Sequence, residues 1–191
     1  MVTQPVLVEP ADHRFTVEEY QQLGEAGILD EKSRVELVDG RILDMTPIGA
    51  RHGSCVMRLT KLFSAALADE AILSVQNPAV VGSHSEPQPD IAVLMARADF
   101  YRDAHPRPSD VLLLVEVADA SLRFDRMVKL PIYAAGGIAE FWIVNLEGEV
   151  IEVHREPTGD SYAARRVATR GESITPLAFP DLVVAVSDVL G

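Results

Sequence analysis

Two carboxylates and a lysine stand in this chain where charge is costly or well placed for chemistry. Glu116 falls near the end of Val111-Leu112-Leu113-Leu114-Val115-Glu116-Val117, and Asp90 opens Ile91-Ala92-Val93-Leu94 directly after Pro87-Gln88-Pro89. A lone buried carboxylate is expensive unless it is paired, protonated or bound to a cation. If the two runs are neighbouring strands, their acids converge at one sheet edge. Two close oxygen ligands facing a cleft suit a hard divalent cation such as Mg²⁺. Lys129 follows Glu116 by thirteen residues, with Asp125 one helical turn before it. A lysine beside two carboxylates and such a cation would orient an attacking water or stabilise a pentavalent phosphate. That is phosphodiester hydrolysis by positioning and electrostatics. The same spacing also describes a strand-end acid, a turn acid after proline and an ordinary i, i+4 pair on a helix surface.

The elements that must position these residues follow from periodicity. Residues 1–13 read as a tail, and residues 14–191 as a single domain with no linker. Thr16 and Glu19 form a capping box that opens a short helix over 15–23. Residues 34–39 and 41–45 alternate on either side of Asp39-Gly40, a hairpin signal. Residues 50–69 repeat Val56, Leu59, Leu62, Phe63, Ala66 and Leu67 at helical spacing. Strands are expected over 71–81, 91–94 and 111–117, the last buried on both faces at the centre of a sheet. Residues 97–110, with Pro106 and Pro108, read as a loop holding about one helical turn. Residues 123–135 are helical in pattern, with Pro131 set to kink or shorten the helix. A strand over 140–145, a hairpin over 149–156 and 161–169, and an apolar run over 182–190 complete an α/β order, a mixed sheet flanked by helices.

Composition bounds the function. The chain has 191 residues, 48% of them hydrophobic, which supports a sizeable core and argues against intrinsic disorder. Its 17 Lys and Arg against 29 Asp and Glu give a net charge of −12, which disfavours broad, nonspecific nucleic-acid binding. A local cationic site or a metal-bridged phosphate stays compatible with that charge. The apolar runs are too short to cross a membrane, no secretory signal is visible, and a lone Cys55 suits a reducing compartment, so a cytoplasmic protein is expected. The five histidines lack paired ligand spacing for zinc. Cys55, Tyr133 and Trp142 read as core.

Beyond spacing, several segments resemble one known family. They are Arg34-Val35-Glu36-Leu37-Val38-Asp39-Gly40-Arg41-Ile42, Pro89-Asp90-Ile91-Ala92-Val93, Leu114-Val115-Glu116-Val117, Asp125 to Leu130 and Tyr133 to Asn145. In this order they resemble the Uma-two-like restriction-endonuclease family of the PD-(D/E)XK nuclease superfamily, from roughly Phe15 to the C-terminus. The resemblance implies a restriction-endonuclease-like core with its active site at one sheet end. Asp90 would match the metal-binding Asp and Glu116 the (D/E) position. The lysine usual two residues later is absent, Ala118 standing there, and Lys129 on the next helix would replace it. Glu36 would match an upstream acid that contacts metal, and His52 a histidine common at the start of the following helix. Ala118-Asp119-Ala120-Ser121 departs from the family's Ser-Pro-Ser-Thr-like turn, leaving Ser121 as the helix cap.

These residues together imply a metal-dependent endonuclease acting on DNA. Asp90, Glu116 and Glu36 would hold Mg²⁺ or Mn²⁺, Lys129 would act on the water, and His52 and Asp125 are secondary candidates. His52 is also explained as a residue of the helix start, and Asp125 as an orienting or capping residue. Arg123 and Arg126 would meet phosphate near the site, whereas Arg165, Arg166 and Arg170 read as a solvated face. The alternative is a non-hydrolytic interaction module that keeps the fold and the acidic site. A homodimer or higher homo-oligomer is expected, because two symmetric sites cut both strands most simply. The run Leu182-Val183-Val184-Ala185-Val186 is the candidate edge or interface.

Overall fold

Residues 12–30 and 32–191 are described by a computed structural model of the chain. The expected tail lies outside the described residues as far as residue 11. Helix α1 (Val17–Glu25) begins with the expected capping box: Thr16 Oγ1 accepts from the Glu19 N–H and the Glu19 carboxylate accepts from the Thr16 N–H. Strands β1 (Val35–Val38) and β2 (Arg41–Asp44) pair across Asp39-Gly40, whose φ values of 49° and 70° suit a two-residue hairpin turn.

Helix α2 (Ala50–Leu67) buries Cys55, Val56, Leu59, Phe63 and Leu67; Ala66, expected on the same face, is exposed. Strands β3 (Ala71–Val75), β4 (Ile91–Met95), β5 (Val111–Ala118), β6 (Glu140–Asn145), β7 (Val150–Thr158) and β8 (Ser161–Thr169) form one six-stranded sheet in sequence order. Only β5 and β6 run parallel. The connection between them carries the helical segment 122–135, as a parallel crossover requires.

One sheet face packs on α2 and the short terminal helix α5 (Val186–Leu190), and the other on the crossover helix. Strands β5 and β6 therefore lie between two apolar layers, which explains their unbroken hydrophobic runs. The α/β mixed-sheet architecture is the expected one, and among the described residues no helix is long and apolar enough to cross a membrane.

Three local expectations change. The strand expected over 71–81 stops at Val75, because Gln76 takes a positive φ of 53° and turns the chain into a loop that returns at Asp90. The helix over 123–135 is not cut by Pro131. It begins as α3 (Leu122–Phe124), widens to a π segment (Asp125–Lys129) and ends as α4 (Leu130–Ala135). The Leu130 N–H donates five residues back to the Asp125 carbonyl, and this wide turn relieves the missing donor and the ring crowding of the proline. The C-terminal run is not an open interface strip. Val184 and Val186 are fully buried and two-residue strands β9 (Ser173–Ile174) and β10 (Val184–Ala185) pin it down, so only Val183 of its valines turns outward. Burying these side chains under the sheet costs less than leaving an apolar strip in water.

Candidate active site

Register brings the two acids together. Ile91 pairs with Val115 across the antiparallel β4–β5 ladder, so Asp90 and Glu116 occupy the next cross-strand position. Both are buried, at 8% and 3% exposure. The Val117 N–H donates to Asp90 Oδ2 at 2.8 Å, which ties the acid on β4 to the residue beside the acid on β5. His52 Nε2 lies 3.0 Å from the same Oδ2, and Gln76 Nε2 donates to Asp90 Oδ1 at 3.1 Å. The helix cap of α2 is Gly49, and His52 in its first turn faces Asp90 instead of serving the helix start.

The π segment turns Asp125 and Lys129 inward together, and both are buried. Lys129 Nζ stands 3.1 Å from Glu116 Oε1 and 3.2 Å from Glu36 Oε2. The Tyr133 hydroxyl, one turn further on, donates to Glu116 Oε1 at 2.7 Å. Glu36 Oε2 also accepts from the Gln88 N–H at 3.1 Å. Ser121 does not cap the following helix with its side chain; its hydroxyl donates to Asp125 Oδ2 at 2.7 Å.

Charge states follow from these contacts. Burial, only partly offset by Lys129 and reinforced by Asp90, Asp125 and Glu36, pushes the Glu116 pKa up to about 8. Burial likewise raises that of Asp125, against the Ser121 hydrogen bond and Lys129. Burial works against the Lys129 ammonium, yet Glu116, Glu36 and Asp125 prevail and hold its pKa above the ordinary lysine value. Lys129 is therefore a cation that donates hydrogen bonds at neutral pH. The hydrogen bond to Asp90 raises the His52 pKa in spite of burial.

These groups line a cleft of about 890 Å³ between the sheet end, α1 and the β1–β2 hairpin. Four carboxyl groups, Glu36, Asp90, Glu116 and Asp125, face one lysine there; in the absence of a cation burial keeps Glu116 protonated at neutral pH, and a cation at its oxygens would take that proton's place. Lone-pair accounting agrees. Glu116 Oε1, Asp90 Oδ2 and Glu36 Oε2 each meet two partners, whereas among the described residues no donor reaches Glu116 Oε2 or Glu36 Oε1, and Asp90 Oδ1 has one. The donor set thus fits a hard cation held by Asp90 and Glu116. Among the described residues no three or more His, Cys, Asp or Glu side chains are gathered into a metal cage. Mg²⁺ commonly takes one or two carboxylates and keeps several waters, so this donor set suits it without such a cage.

Asp90, Glu116, Lys129, Glu36, His52 and Asp125 are thus brought into one cleft. Arg123 and Arg126, expected beside them, are outside its lining. Arg126 lies next to Asp125 on the helix and points away from it, onto the buried Glu152 of β7, which also meets Arg165. The lining includes Arg34 instead. Sequence reasoning missed Tyr133, Gln76 and Gln88 as site residues. Tyr133 carried a usable signal, its i, i+4 spacing from Lys129; the two glutamines reach Asp90 and Glu36 only through the tertiary fold. Cys55 is inert packing as expected, its thiol pKa pushed up to about 12 by burial.

The fold has a solved counterpart. A crystal structure described as "a putative nuclease belonging to DUF820 from Anabaena variabilis ATCC 29413" superposes with a TM-score of 0.72 at 13% sequence identity, covering 92% of this chain and 97% of that one. At that identity the likeness is one of fold. No curated protein matches the chain. The family model described as "Uma2: Putative restriction endonuclease" matches residues 17–187, and the chain belongs to that family.

Proposed function

We propose that this chain is a metal-dependent endonuclease that hydrolyses phosphodiester bonds of DNA. The observation that carries the reading is the buried lysine set among four carboxylates in an open cleft, on a chain of a nuclease family. Asp90 and Glu116 would hold Mg²⁺ or Mn²⁺ through the oxygens their hydrogen bonds leave open. The cation would supply positive charge to the scissile phosphate and acidify the attacking water.

The protein's own groups do the positioning. Tyr133 and Lys129 hold Glu116 by one oxygen, and the Val117 N–H and His52 hold Asp90 by one oxygen. Glu36 anchors Lys129 from the hairpin, so its part is to aim the ammonium more than to ligate. Lys129 donates a hydrogen bond to the water or to the phosphate as negative charge builds; with its pKa raised, it does not take the proton. Two such chains acting as a homodimer would cut both strands, and a cytoplasmic location suits a chain with one buried thiol.

The test is a plasmid nicking assay with Mg²⁺ or Mn²⁺ against chelator. Cleavage should require metal, Asp90→Ala and Glu116→Ala should lose Mn²⁺ binding in calorimetry, and Lys129→Ala should lose about 10²–10³-fold in rate. Cleavage that persists in chelator would overturn the mechanism. One observation favours a second reading, a non-hydrolytic module: the arginine expected at the phosphate, Arg126, is committed to Glu152. Protein that binds Mn²⁺ yet leaves varied DNA and RNA intact would support that reading.

A further inference from the structure

Gln76 sits where the sheet geometry needs no glutamine. Strand β3 pairs Val75 with Ile91, so the next position sets Gln76 opposite Asp90, which is itself opposite Glu116. Gln76, Asp90 and Glu116 therefore follow one cross-strand row at the sheet end, beside the cleft. At this point the backbone of Gln76 has a φ of 53°, a left-handed conformation in which glycine or asparagine is at ease and a long unbranched side chain is strained. The strain is held by two contacts to one residue. The Gln76 N–H donates to the Asp90 carbonyl at 3.2 Å, and Nε2 donates to Asp90 Oδ1 at 3.1 Å.

Oδ1 is also the Asp90 oxygen with room for a further partner. Oδ2 already meets the Val117 N–H and His52. A carboxylate fixed on one oxygen alone can still rotate; fixed on both, it presents its remaining lone pair in one direction. Resting on the metal-ion reading above, we propose that Gln76 is a positioning residue for the cation, acting through Asp90: its amide sets the direction of Asp90 Oδ1, and the strained backbone puts the amide within reach. Groups that orient a ligand in this way are typically worth about 10–100-fold in metal affinity.

Two substitutions separate positioning from a merely structural role. Gln76→Gly relieves the positive φ but removes the amide. Gln76→Asn keeps an amide and tolerates the backbone, but is one methylene too short to hold Oδ1. Both should melt at or above the temperature of the unaltered chain in chelator, while Mn²⁺ affinity by calorimetry falls about tenfold or more. Nicking at saturating Mn²⁺ should recover more than nicking at limiting Mn²⁺.

Mn²⁺ affinity within twofold of the unaltered chain in both variants would overturn the positioning role and leave the metal-ion reading standing. A fall in affinity that only tracks a fall in melting temperature would overturn it too. Failure of the unaltered chain to bind Mn²⁺ would overturn the metal-ion reading, and this inference with it.

Discussion

Glu116→Gln is the sharpest probe of the acid cluster. The Glu116 side chain is buried, and its pKa lies near 8 against an ordinary value of 4.5. Between those values the folded chain keeps a proton that the unfolded chain has released. A folded pKa above the unfolded one contributes stability that is complete below 4.5 and lost as pH rises through about 8. The slope is about 1.4 kcal/mol per pH unit for one group, so the whole interval is worth at most about 5 kcal/mol. Gln has the same shape and cannot titrate. In chelator, urea unfolding followed by circular dichroism at pH 5, 6, 7 and 8 should give similar stabilities near pH 5 and a variant that is the more stable by several kcal/mol at pH 8. A residual downward slope should survive in the variant, because the raised pKa values of Asp125 and His52 act with the same sign. Mn²⁺ at pH 8 should narrow the gap by stabilising only the unaltered chain. Parallel stability curves across this range would refute the account of Glu116 as a desolvated acid awaiting a cation.

Other expectations follow from the same contacts. Lys129→Met, which removes the ammonium between Glu36 and Glu116, should cost about 3–5 kcal/mol in chelator at pH 8 and less at pH 5, where Glu116 is protonated; denaturant unfolding at both pH values checks it. Tyr133→Phe deletes a buried donor to Glu116 and should cost about 1–3 kcal/mol by the same method, with slower nicking. Glu152 behaves oppositely to Glu116: burial opposes its ionisation, but His154, Arg126 and Arg165 hold its pKa down to about 2, so its contribution is present above 4.5 and lost as pH falls. Glu152→Gln should therefore flatten the acid limb of the stability curve, by about 1–2 kcal/mol at low salt, and a thermal melt series from pH 5 to pH 3 reads it. Light scattering at micromolar concentration should give twice the monomer mass; a clean monomer would count against two symmetric sites.

Local chemistry was enough to place most of the architecture. The Thr16–Glu19 box, the Asp39-Gly40 turn, the helical spacing of Val56, Leu59 and Phe63, and the unbroken apolar run of β5 each depend on neighbours within a few residues, and the structure keeps all four. Charges stranded in apolar runs were equally legible, because burying Asp90 or Glu116 without a partner is costly wherever it happens. Tertiary contact decided the rest. The end of β3 at Gln76 turns on a backbone angle held by Asp90, far along the chain, which no local pattern encodes. The inward aim of Lys129 depends on a π turn that Pro131 makes favourable but does not dictate. Arg126 looked available because spacing cannot say which side of a helix meets Glu152. A short stretch of chain carries its own turns and periodicities, but a charge finds its partner only when strands distant in sequence are laid side by side.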